Sequence, residues 1–110
     1  MRRSKYGNVR TVVNGITFAS KAEAARYREL VAMQKAKMIS DLQIQQPFSL
    51  LVNGKLVCKY MADFTYKFGS TPIVEDVKGV RTAVYRLKAK LMLACYGITI
   101  TEIGARRKRK

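Results

Sequence analysis

The pattern of apolar and polar positions changes period several times along this chain, and each change marks an element. Val12-Val13-Asn14-Gly15-Ile16-Thr17-Phe18 sets an Asn-Gly pair between β-branched residues, the composition of a two-residue type I′ hairpin. At Ser20 the period becomes helical. Ser20 with Glu23 three residues on reads as a capping box, and Ala-rich sequence carries the helix to about Met38. Its apolar stripe takes in Tyr27, Leu30, Val31, Gln34 and Met38. Leu42 to about Val52 reads as extended, Asn53-Gly54 as a second hairpin turn, and Lys55 to about Lys67 as the returning strand. Gly69-Ser70-Thr71-Pro72 interrupts it, and Ile73 to Lys78 forms another strand ended by Gly79. A second helix is predicted from about Thr82 to Tyr96, with Val84, Leu87, Leu91, Ala94 and Cys95 as its core stripe and Gly97 as its stop. Ile98 to Ile103 alternates as a last strand. The order is a hairpin followed by α-β-β-β-α-β, which predicts an α/β fold with a mixed sheet in a single domain spanning residues 1–110.

Charge sharpens this picture. The 110 residues carry 22 Lys+Arg against 7 Asp+Glu and no His, for a net charge of +15. A folded domain so basic calls for a polyanionic partner, and nucleic acid is the default. Residues 1–10 and 104–110 read as mobile basic arms. The run Arg106, Arg107, Lys108, Arg109, Lys110 and the helical residues Arg81, Arg86, Lys88 and Lys90 are the candidates for phosphate contacts. No apolar stretch follows the basic start Met1-Arg2-Arg3-Ser4-Lys5, and none is long enough to span a membrane, so a cytoplasmic location is expected. The lack of His excludes His-ligated zinc sites and Ser-His or Cys-His nucleophile systems. Cys58 and Cys95 lack paired spacing and read as small hydrophobes.

With seven acids in the chain, the place of each is informative. Glu29 and Asp41 read as surface or cap residues, and Glu102 says little. Glu23 fits the capping box, yet its helical phase puts it in the stripe that should bury; a cap alone or a functional role accounts for it. Asp63 interrupts the run Tyr60-Met61-Ala62-Asp63-Phe64, either as a strand-end residue satisfied by backbone or Lys, or as part of a site. Asp76 and Lys78 share a strand face, with Glu75 on the other; a slip of one register would exchange them. A same-face ion pair is the plain explanation, but two charges in a buried-looking strand are costly. Asp63 and Asp76-x-Lys78 on adjoining strands, with Glu23 nearby, have the chemistry of metal-assisted phosphodiester hydrolysis. Carboxylates hold a hard cation such as Mg²⁺, and an amine beside it supports the charge that develops on phosphorus.

These residues resemble the PD-(D/E)xK nuclease signature, with Ala62 in place of its Pro, and the element order resembles that superfamily's restriction-endonuclease-like core. A closer likeness covers nearly the whole chain. Tyr6-Gly7-Asn8, the stretch Gly15 to Tyr27, Ile39-Ser40-Asp41-Leu42, Tyr60 to Phe64 and Val74 to Gly79 look like a family of small phage and prophage proteins labelled as of unknown function or as endonucleases. In layout this family is similar to the phage endonuclease I Holliday-junction resolvases. The resemblance implies Glu23, Asp63, Asp76 and Lys78 as catalytic residues, with Glu23, Asp63 and Asp76 holding Mg²⁺ (or Mn²⁺ in its place). Asp76 stands where those resolvases carry Glu. The resemblance also implies branched DNA as substrate, a homodimer, and a role in phage recombination, replication or packaging. The competing expectation is a basic nucleic-acid-binding protein without catalysis, which needs no acids gathered near its basic face.

Overall fold

The computed structural model describes residues 10–78 and 80–104. Both expected arms lie outside them except for Arg10 and Gly104, and Arg106 to Lys110 lie outside altogether. The elements are β1 (Thr11–Val13), β2 (Ile16–Phe18), α1 (Lys21–Lys35), β3 (Ser40–Val52), β4 (Lys55–Phe68), β5 (Thr71–Val77), α2 (Ala83–Tyr96) and β6 (Thr101–Ile103). This is the predicted mixed α/β order. The hairpin β1–β2 stands as a separate two-stranded sheet, and β3-β4-β5-β6 form a four-stranded one. Its first three strands run antiparallel, and β6 lies parallel to β5. The last strand is shorter than expected, since only Thr101–Ile103 reach a neighbour.

Local chemistry explains the boundaries. Asn14-Gly15 and Asn53-Gly54 all carry positive φ, between 51° and 79°, as a type I′ turn requires. Ser20 and Thr82 cap the two helices by accepting from the backbone N–H of Glu23 and Tyr85, each at 3.1 Å. Gly97 closes α2 in the left-handed region.

The core is divided in two. One cluster joins Leu50, Tyr60, Ala62 and Val74 of the sheet to Tyr85 and Met92 of α2. The other joins Phe64 and Tyr66 to Phe18 and to Ala24 and Leu30 of α1. Tyr60, Ala62, Phe64 and Tyr66 have the same parity along β4, so an unbroken pleat would point all four to one face. The buried side changes between Ala62 and Phe64, at Asp63. Across the β3–β4 pair, Ile44 meets Phe64 and Gln46 meets Ala62, and Gln45 between them has φ 51°. A left-handed residue at this point turns the strand over.

The expected face of α2 is corrected. Tyr85 and Met92 are buried, with Lys88, Ala89 and Leu91 half-buried, whereas Val84 is 62% and Leu87 55% exposed, and Ala94 and Cys95 also face solvent. The buried positions 85, 88, 89 and 92 form a helical stripe displaced by one residue from the expected one. Apolar side chains surround this helix, and Lys88 inside the true stripe disguised it. On α1, Leu30 buries as expected with Glu23 and Ala24, but Gln34 and Met38 are exposed. Gln34 instead accepts the backbone N–H of Leu42.

Candidate active site

Pairing of β4 with β5 runs from Phe68–Thr71 to Phe64–Glu75. One residue beyond that last pair, Asp63 takes over the role of the ladder with its side chain. Its Oδ2 accepts the backbone N–H of Val77 at 2.8 Å. Asp63 therefore does what a strand-end Asp does, and that bond also fixes its carboxyl beside Asp76.

Asp76 is 3% exposed. Its Oδ2 accepts the Tyr60 hydroxyl at 2.7 Å and lies 3.6 Å from Nζ of Lys78. Asp63 and Glu23 both lie close enough to Asp76 for its charge to work against theirs. The acids of α1, β4 and β5 thus lie near enough to act on one another, with Lys78 at the edge. Burial first, and Asp76 after it, push the Asp63 carboxyl up to about 8 while the Val77 N–H opposes. Burial likewise raises Glu23, repulsion from Asp76 adds to this, and hydrogen bonds from the Ala19 backbone, Asp63 and Gln45 oppose it. At neutral pH the Asp63 carboxyl therefore tends to keep its proton, because ionising it beside another acid in a buried site is costly.

Three residues the sequence reading passed over hold this site. Gln45 donates its Nε2 to Oε2 of Glu23 at 3.1 Å. Tyr60 holds Asp76, and burial first, then Asp76, drives its hydroxyl far above the usual range. The Lys78 ammonium sits 4.4 Å from the centre of the Tyr85 ring. Tyr85 in turn donates to Oε2 of Glu102 at 2.8 Å, and Arg81 Nε lies 3.1 Å from the same oxygen. Glu102, uninformative in the sequence, thus anchors the Tyr85 hydroxyl and Arg81. Arg81, expected at phosphate, is already paired. An Asp breaking a strand signalled the site; nothing in the spacing signalled its partners, which come from distant segments.

Glu75 faces the other way, as the alternation of β5 requires. It is fully buried, and Arg26 Nε and Nη2 meet its two oxygens at 2.9 and 2.7 Å while Tyr66 donates to Oε2. Arg26 also reaches Glu29 at 2.9 Å. Glu75 is a closed ion pair and takes no part in the acidic cluster.

The donor set fits a hard divalent cation, since it consists of carboxylate oxygens. Among the described residues, no three His, Cys, Asp or Glu side chains stand as a ready-made cage for an ion.

Fold and site together define a small mixed α/β protein with a buried acidic cluster where two antiparallel strands part. The chain belongs to the family described as Protein of unknown function (DUF1064), whose model matches residues 3–104. No curated protein and no solved structure matches it significantly. No helix among the described residues is long and apolar enough to cross a membrane.

Proposed function

We propose that this chain is a Mg²⁺-dependent DNA endonuclease of the PD-(D/E)xK kind, acting on branched DNA as the endonuclease I resolvases do. The observation that carries the reading is the placing of Asp63 through the Val77 N–H next to Asp76, which Tyr60 and Lys78 flank. In this reading Asp63 and Asp76 hold the cation, with Glu23 as third donor and Mn²⁺ able to replace Mg²⁺. Bound there, the ion would lower the pKa of a coordinated water and offset charge on the scissile phosphate. Asp76, anchored by Tyr60, keeps its geometry as the proton leaves Asp63. Lys78, steadied over Tyr85, orients the attacking water and stabilises the pentacovalent phosphate. In-line attack leaves 5′-phosphate and 3′-hydroxyl ends. Arg86 and Lys90, exposed on α2, and the basic residues 106–110 supply phosphate contacts that weaken with salt. The reading extends to a homodimer in the bacterial cytoplasm, since resolving a junction takes two cuts; the solvent-facing apolar row Val80, Val84 and Leu87 supports self-association.

A second reading is a basic nucleic-acid-binding protein without catalysis. The observation that favours it is the lack of a ready-made cage among the described residues. A cleavage panel decides between them: four-way junction, replication fork, flap, duplex and single strand, with and without Mg²⁺ or Mn²⁺. Metal-dependent cutting of the junction, abolished in Asp76→Ala while binding persists, supports the nuclease. Binding with no cutting of any substrate leaves the second reading.

A further inference from the structure

Gln45 breaks two habits of its neighbourhood. It is a long polar residue held at φ 51°, a left-handed conformation that strains a side chain, and it sits opposite Asp63 at the point where β4 changes its buried side. Neither glycine nor asparagine, the residues that adopt this conformation cheaply, occupies the place. The strained backbone sends the carboxamide across to α1, where it donates to a Glu23 that is only 6% exposed. A buried carboxylate needs such a donor, since burial leaves its oxygens without water.

We infer that Gln45 is a positioning residue: its carboxamide, delivered by a left-handed kink in β3, orients the Glu23 carboxylate toward Asp63 and Asp76 as a cation donor. The inference rests on the nuclease reading above and adds to it the group that sets Glu23. Strain retained at a bulky residue marks a conformation kept for its contact rather than for stability.

Two variants separate contact from strain. Gln45→Met keeps bulk and strain but cannot donate; Gln45→Gly removes both. Both are expected to weaken Mn²⁺ binding, measured by calorimetry, and Mg²⁺-dependent junction cleavage by about tenfold or more. Gln45→Gly should nonetheless melt at a higher temperature than Gln45→Met, with both folded by circular dichroism. In a Glu23→Gln background, Gln45→Met should cause no further loss of Mn²⁺ affinity, because the two act through one donor. Wild-type Mn²⁺ affinity in both variants, or losses that add to those of Glu23→Gln, would overturn the positioning role while leaving the nuclease standing. A wild-type protein that neither binds Mn²⁺ nor cuts DNA would overturn both.

Discussion

Glu75 and Asp76 are consecutive residues of one strand, equally buried, and they meet opposite fates. Glu75 points toward α1 and finds a guanidinium that matches both of its oxygens, with a tyrosine hydroxyl completing the set. Asp76 points toward α2 and finds a hydroxyl, a lysine at 3.6 Å and another carboxyl. The first environment balances its charge, and nothing more can be bound there. The second is short of positive charge, although the chain as a whole carries a large excess. A buried carboxylate therefore reads as structural or functional by its partners, not by its burial.

The contrast can be broken from either side. The largest effect is expected on the balanced side. Arg26→Ala leaves Glu75 buried without a counter-charge and should cost about 3–5 kcal/mol in urea unfolding. On the unbalanced side, Asp63→Asn replaces a titrating carboxyl by a permanent amide. We expect cleavage to fall by about 10³-fold, since the lost interaction is worth several kcal/mol, while the metal-free protein melts at a higher temperature at pH 8. A structural role alone would lower the melting temperature instead.

The same pair sets the pH dependence. Asp63 titrates near 8 in the folded chain against an ordinary 3.8, so between those values the folded state binds more protons than the unfolded one. Stability conferred by this group is complete below about pH 4 and lost as pH rises toward 8. Thermal melts without metal should show that decline, Asp63→Asn should flatten it, and Mg²⁺ should stabilise more at pH 8 than at pH 6 because binding must displace the proton. The smallest effect is expected at the outer row of α2. Leu87→Ser should change unfolding by no more than about 0.5 kcal/mol. If that row joins two copies, sedimentation will show the variant shifted toward monomer.

Local elements were legible because local chemistry makes them. The two Asn-Gly turns, the caps Ser20 and Thr82, and Gly97 each act within four residues of themselves. Three of the four proposed site residues could be found from strand parity and the fourth from helical phase, since Asp63 and Asp76-x-Lys78 break apolar strands and Glu23 sits in a buried stripe. The buried face of α2 was not legible: apolar residues occupy most of its circumference, and only the sheet chooses among them. The Arg26–Glu75 pair, 49 residues apart, and Gln45–Glu23, 22 apart, left no trace in spacing.

The amino-acid sequence by itself determined the order of strands and helices and which acids would be costly to bury, because turns, caps and period depend on neighbours along the chain. Only the tertiary structure decided which of those acids would be neutralised. Charge compensation depends on distance in space, and the groups that supply it here (Arg26, Gln45, Tyr60 and Tyr85) come from segments that meet only when the sheet and its two helices are assembled.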